Sequence, residues 1–286
     1  MKNIIFIASY PKSGNTWIRI IIAMLIYTTT VSKKENLKKF NFKNLKEVGL
    51  FSQLNNFKKI DGYKLQKNGL LDTDFSINNW INAQKIINKN SKTNFFKTHN
   101  MSGKINGKKF TDTSVCGGFI YITRDPRDVA ISKAKYMNTS FDTSIDRMLN
   151  DDKVIVSPGK VNEFINTWEN HVLSWYNTKD IPRLMLRYED MLIDTKKSIK
   201  QIINFINTNS QLHIKDDYYI LNYVLENTNF NNLKLIEEKM GFMESTVHSR
   251  FFREGKSKQW EALLSANQID TIQKKLQIPM QYLGYL

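Results

Sequence analysis

Ser9-Tyr10-Pro11-Lys12-Ser13-Gly14-Asn15-Thr16-Trp17 links a short apolar run to a helical pattern, a setting in which backbone can hold an anion. Gly14 is free to take a positive φ, and successive N–H groups around it can converge on one point where the helix dipole adds partial positive charge. Ser13 and Thr16 offer hydroxyl donors beside it, and Lys12 supplies a full charge. The nucleotide-triphosphatase loop runs G-x-x-x-x-G-K-[ST]. Here the lysine precedes the glycine by two residues and no glycine stands five positions earlier, so the loop is a phosphate cradle of another kind. A glycine at a strand–turn–helix junction also occurs without any ligand, and the motif therefore needs partners.

Two further groups could be those partners. Arg124 closes the apolar run Phe119 to Thr123, and Ser132 lies about two turns into the helix that follows. A guanidinium and a hydroxyl at that spacing can reach one terminal phosphate. The competing reading is a surface ion pair of Arg124 with Asp125 or Asp128, worth at most about 1 kcal/mol. Of the four histidines, His99 ends the run Phe95-Phe96-Lys97-Thr98-His99, on the edge expected to face the cradle. An imidazole is the usual general base near neutral pH. His171, among Trp168 and Trp175, reads as a packed or hydrogen-bonded residue; His213 and His248 have no supporting context.

In combination these segments resemble the cytosolic-type sulfotransferases that use 3′-phosphoadenosine-5′-phosphosulfate (PAPS). Tyr10 to Trp17 is similar to their Y-P-K-S-G-T-T-W loop, with only Asn15 departing and a small polar donor kept. The resemblance implies that Lys12 and the loop residues Ser13, Gly14, Asn15 and Thr16 hold the 5′-phosphosulfate while Trp17 stacks on the adenine. Arg124 with Val129-Ala130-Ile131-Ser132 resembles the family's 3′-phosphate motif, and Lys97-Thr98-His99 its K-T-H element with the catalytic base. Arg253-Glu254-Gly255 through Trp260 is similar to R-K-G-x-x-G-D-W, with Glu254 for lysine, no second glycine and Gln259 for aspartate. An acidic Glu254 beside a phosphate implies either that its side chain points away or that Lys256 and Lys258 compensate. Tyr188, Thr228 and Phe230 match adenine-contacting positions, although by type alone Tyr188 and Phe230 would be assigned to packing. The implied mechanism has His99 accept the acceptor's proton and Lys12 and Lys97 stabilise developing charge, with Ser132 holding Lys12 in check. PAPS would be the donor and 3′-phosphoadenosine-5′-phosphate (PAP) the product. The acceptor would be a small-molecule or glycan hydroxyl, and no metal is expected.

The elements that must position these groups read as strands Ile4 to Ala8, Asn94 to Lys97, Gly118 to Thr123 and Arg183 to Arg187. Helical patterns follow at Thr16 to Tyr27, Asp128 to about Tyr136, and Lys196 to Ile206. Such alternation predicts an α/β, three-layer fold with a central, mostly parallel sheet flanked by helices, whose ligands bind beyond the carboxyl ends of strands. Val31 to Ser76 and Asn138 to Gly159 show little period and are expected to be irregular. Phe51, Phe57, Tyr63, Trp80, Tyr136 and Phe141 could line an acceptor pocket there or belong to the core.

Composition sets the outer bounds. The 286 residues suit one domain over the whole chain, and the formal charge of +15 favours anionic partners. A nucleic-acid-binding protein would share that charge and a P-loop kinase the architecture. No nucleic-acid motif is seen, however, and the Walker lysine is missing. The single cysteine, Cys116, excludes an intramolecular disulfide and reads as a core filler. With no signal peptide and no apolar run of membrane-spanning length, a cytoplasmic location is expected. The C-terminus lacks the K-x-x-x-T-V segment by which many relatives dimerise, so that mode of assembly is not expected.

Overall fold

The computed structural model describes residues 2–31, 41–151, 154–245 and 250–286; His248 and parts of the two irregular segments lie outside the described residues. The chain runs through β1 (Ile4–Ser9), α1 (Asn15–Thr30), β2 (Val48–Leu50), α2 (Thr73–Ile87) and β3 (Asn94–Thr98). The short pair β4 (Lys104–Ile105) and β5 (Lys108–Lys109) precedes β6 (Cys116–Thr123), α3 (Pro126–Met137) and α4 (Phe141–Asn150). A second antiparallel pair, β7 (Val154–Ile155) with β8 (Glu163–Phe164), leads to α5 (Trp168–Tyr176), β9 (Arg183–Arg187), α6 (Tyr188–Ile193) and α7 (Thr195–Asn209). The remaining helices are α8 (Tyr218–Thr228), α9 (Phe230–Met240), α10 (Trp260–Leu263), α11 (Ala266–Lys275) and α12 (Gln277–Tyr282).

Five strands form one parallel sheet in the order β2-β3-β1-β6-β9. The run Ile4-Ile5-Phe6-Ile7-Ala8-Ser9 is buried throughout, as a strand covered on both faces must be. Its side chains alternate between two cores. Ile4, Phe6 and Ala8 join Trp80 of α2 and Trp168 and Trp175 of α5, whereas Ile5 and Ile7 join Ile18 and Ile22 of α1 and Ile202 of α7. The outcome is the expected three-layer α/β architecture. Cys116 is buried, and burial pushes its thiol up to about 12, as suits an inert core position. No described helix is long and apolar enough to cross a membrane.

β1 lies between β3 and β6, with Ala8 opposite Thr98 and Ser9 opposite Ile122, so the three strands end level. The loops that follow them therefore open at one end of the sheet, on both sides of the switch point at β1, and β9 passes there directly into α6.

The two irregular segments hold more structure than their sequences suggest. β2 joins the sheet edge through Val48 to Leu50, opposite Phe95 to Lys97. Three residues are too few for a periodic signal, and Gly49 is present because a Cβ there would stand 2.9 Å from the Phe96 ring. α4 falls inside the segment expected to be irregular. Ser140 caps it by accepting the Thr143 N–H at 3.1 Å, and Ile145 and Met148 are buried while its other face is polar.

Candidate active site

The anion loop is held open from below. α1 begins at Asn15 behind Gly14, which stands at φ 102, and Lys12 also adopts a positive φ of 72, uncommon for a side-chain-bearing residue. A Cβ on Gly14 would fall 2.7 Å from the Tyr188 ring, so glycine is needed for packing as well as for φ. The Asn15 side chain turns inward and donates to the Ile7 carbonyl at 3.1 Å and to Ser9 Oγ at 3.2 Å, fastening the loop to the end of β1. Among the described residues Ser13 Oγ has no hydrogen-bond partner, and Ser13 does not reach the cavity that Lys12, Gly14, Thr16 and Trp17 line. The Lys12 ammonium rests on two rings, 3.8 Å from the centroid of Tyr136 and 4.4 Å from that of Phe251, rather than on the Ser132 hydroxyl. Burial, then the charges of Arg253, Lys97 and Arg124, pull its pKa down to about 7 against the opposing pull of Glu244.

His99 lines the same cavity, beside the start of this loop, with its tautomer fixed. Its Nδ1 lies 2.8 Å from the Ser9 carbonyl, which can only accept, so Nδ1–H donates and Nε2 keeps its lone pair. Burial, reinforced by Lys97, holds the imidazole well below its usual pKa and therefore neutral. The main chain of His99 is pinned from two sides. Its N–H donates to Glu163 Oε1 at 2.9 Å, and its carbonyl accepts from His171 Nε2 at 3.1 Å. His171, driven by burial to about 3, accepts the Tyr121 O–H on Nδ1 at 2.9 Å. The packed histidine of the sequence thus orients the one at the strand end.

Glu244, which no sequence motif marked, stands inside the anion loop. Thr16 Oγ1 donates to its Oε2 at 2.9 Å, Arg19 pairs with its Oε1, and Lys97 Nζ lies 3.6 Å away. Burial raises its pKa, but Lys97 and Arg19 outweigh that and hold it at about 2. One signal in the sequence pointed to such a partner: Arg19, inside the most apolar helix of the chain, is only 4% exposed and needs a counter-charge.

Arg124 is buried, not at the surface. It meets Asp128 at 3.7 Å, so the ion-pair reading describes a real contact, but its Nη2 also donates to the Lys256 carbonyl at 2.9 Å and its Nη1 approaches the Lys12 carbonyl at 3.4 Å. Its guanidinium lies 4.4 Å from the Tyr188 ring centroid. The C-terminal segment is brought to this turn by two clamps. Glu237 accepts the Phe251 and Phe252 N–H groups at 2.7 and 2.8 Å, and Asp128 those of Lys258 and Trp260 at 2.8 and 3.1 Å. Arg253 thereby reaches the Ser132 carbonyl at 3.5 Å, Glu254 stays exposed at the rim, and Gly255 at φ 61 lies flat on Phe230. Trp260 sits outside the cavity with Arg127 3.7 Å from its ring centroid. Trp17 and Tyr188 meet edge to face at 5.9 Å, and the Trp17 indole N–H donates to the Thr228 carbonyl at 2.9 Å. The Thr228 hydroxyl is spent on Val224 of its own helix, so Thr228 meets Trp17 through its backbone carbonyl alone.

The cavity, about 440 Å³, passes from these groups to His99 and on to Leu50, Ser52, Tyr136, Ile155, Lys160 and Glu163. That last wall is stitched by backbone: the Val161 N–H donates to the Ser52 carbonyl at 2.7 Å and the Gly159 N–H to that of Gly69 at 2.9 Å. Of the aromatics considered for it, only Tyr136 lines the cavity. Phe51, Phe57 and Trp80 are core, and Tyr63 and Phe141 pack against the core. Among the described residues no three His, Cys, Asp or Glu side chains are grouped to hold a metal ion. Lys12, Lys97, Arg124 and Arg253 crowd one cleft, an arrangement that is costly until a polyanion enters.

The model of the sulfotransferase domain matches residues 2–284, and the chain belongs to that family. Sulfotransferase 1B1 of Canis lupus familiaris is 27% identical over 292 aligned positions, which cover 95% of this chain and 82% of the relative. Sulfotransferase 2A1 of Mus musculus is 23% identical, covering 96% and 84%. Among solved structures, mouse sulfotransferase SULT7A1 complexed with PAP superposes with a TM-score of 0.61 at 20% identity, covering 98% of this chain and 84% of that one. Retinol dehydratase in complex with androsterone and PAP gives 0.63 at 19% identity, covering 98% and 81%.

Proposed function

We propose that this protein transfers a sulfo group from PAPS to an acceptor hydroxyl, with His99 as general base. The observation that carries the reading is the bond from His99 Nδ1–H to the Ser9 carbonyl, which leaves a neutral imidazole's Nε2 lone pair in the cavity that the Lys12 loop also lines. The cleft fits such a donor, since a carboxylate already stands on Thr16 and Lys97 where a phosphosulfate would be received. PAPS supplies an electrophilic sulfur bearing a phosphate leaving group. Lys12, Thr16 and the amides behind Gly14 bind the 5′ end; Arg124, Ser132 and Arg253 bind the 3′-phosphate, with Glu254 exposed beside them. Trp17, Tyr188 and Phe230 hold the base, supported by Thr228 and Gly255, while Ser13 and Asn15 shape the loop from beneath. In the transfer, His99 Nε2 takes the acceptor's proton as the acceptor oxygen bonds to sulfur. The opposite S–O bond breaks in line, and its electrons go to the leaving phosphate, where Lys12 and Lys97 stabilise them.

Calorimetry without metal tests the donor side. PAP should bind with micromolar affinity and ADP at least about tenfold more weakly, about 1.4 kcal/mol. Equal binding, or none, would remove the 3′-phosphate assignment and with it the claim to PAPS.

A further inference from the structure

The wall beyond His99 is polar where a phenol or steroid would want an apolar slot. Ser52, Lys160 and Glu163 face the cavity there between Leu50, Ile155 and Tyr136. Glu163 is the informative member. Its Oε1 accepts the His99 N–H at 2.9 Å, which places the carboxylate beside the residue read as the base. Among the described residues Oε2 accepts no hydrogen bond, and Glu163 lines the cavity. Burial raises the Glu163 pKa, the His99 N–H and the charges of Lys97 and Lys160 oppose it, and Oε2 still has no hydrogen-bond donor of its own among these residues. A cavity-facing carboxylate oxygen without a donor is suited to a ligand that donates to it.

We infer that Glu163 reads the acceptor, which is a polyhydroxylated alcohol such as a sugar or cyclitol rather than a phenol or an isolated alcohol. One hydroxyl is presented to His99 Nε2, and the neighbouring hydroxyl donates to Glu163 Oε2, with Ser52 and Lys160 available to further oxygens. This rests on the sulfo-transfer reading with His99 as base. A ligand lacking the second hydroxyl leaves Oε2 desolvated and unpaired, which is how a buried polar group discriminates strongly between similar molecules.

The test compares matched acceptors with PAPS, following sulfated product by mass spectrometry: cyclohexanol against 1,2-cyclohexanediol, phenol, and a methyl hexopyranoside. Calorimetry with PAP is run on the same preparations. Wild-type enzyme should favour diol over cyclohexanol by at least about tenfold in kcat/KM, with the glycoside also turned over. Glu163→Gln keeps a carbonyl for the His99 N–H but turns the cavity-facing acceptor into a donor, so the diol-to-cyclohexanol ratio should fall toward one while PAP binding is retained. An unchanged ratio in Glu163→Gln would overturn the inference. So would equal or better turnover of phenol and cyclohexanol, or no turnover of any diol or glycoside by enzyme that binds PAP. Failure of wild-type enzyme to bind PAP would instead remove the donor reading on which it rests.

Discussion

Thr16 Oγ1 lies 2.9 Å from Glu244 Oε2, so the hydroxyl that opens α1 donates to a carboxylate carried by the segment after α9. A phosphosulfate seated on that hydroxyl must displace Glu244, which makes the side chain a competitor for the site as well as the partner of Arg19. Glu244→Gln should therefore bind PAP several-fold more tightly yet unfold more easily, by roughly 3 kcal/mol, because Arg19 loses its counter-charge. The carboxyl's pKa is lowered from 4.5 to about 2, so its stabilisation is complete above about 4.5 and is lost as pH falls toward 2. The stability gap between wild type and variant should close over that window in urea melts. Unchanged or weaker PAP binding by the variant would show that the two anions do not compete.

Lys12 gives the donor site its own pH dependence. With its pKa pulled down to about 7, the side chain is increasingly neutral above that pH, and a bound dianion restores the charge. PAP binding at pH 8 should therefore take up a proton, and affinity should fall by up to about tenfold per unit above pH 7. Calorimetry in buffers of different ionisation enthalpy reads this directly; buffer-independent heats would contradict it.

His99→Ala should keep PAP affinity and lose turnover by about 10²–10⁴-fold. Because burial keeps the imidazole neutral well below its ordinary pKa, kcat/KM should show no acidic limb near 6.5. A limb at that position, or near wild-type rates in the alanine variant, would assign the base elsewhere.

Gly255→Ala tests the adenine end. A Cβ there would stand 2.3 Å from the Phe230 ring, on a residue whose φ of 61 already disfavours a side chain. The variant should lose PAP affinity about tenfold or more as Phe230 is displaced. Gly107→Ala, also at positive φ but with nothing within 4 Å of the new methyl, is the control and should leave binding unchanged.

Much of the fold, and which segments line the cleft, was legible in the sequence for a physical reason. Parallel strands buried on both faces read as continuous apolar runs, and Ile4 to Ser9 and Phe119 to Thr123 each discharge into a loop at one end of the sheet, whereas the edge strand Arg183 to Arg187 passes straight into α6. Lys12, His99 and Arg124 meet there because that is where such loops must begin, while Arg253 is brought to them by the clamps from Glu237 and Asp128. Glu244 was hidden because an acidic residue after a helix has no period to announce it. The wall formed by Ser52 and Glu163 was hidden because backbone hydrogen bonds join its loops, and no side-chain pattern encodes a Val161 N–H donating to a Ser52 carbonyl. The large aromatics left pocket and core both open, and Phe51, Phe57 and Trp80 belong to the core beneath that wall.

That stitching divides responsibility within the molecule. The segments around Ser52 and Val161 hold each other, while the nucleotide side depends on the clamps from Glu237 and Asp128. On the proposed reading, substrate choice and donor use are thus written in separate stretches of chain that touch at His99. Exchanging residues 50–53 and 159–163 together, as a pair, is the route by which this scaffold could be given a new acceptor while its fuel stays the same.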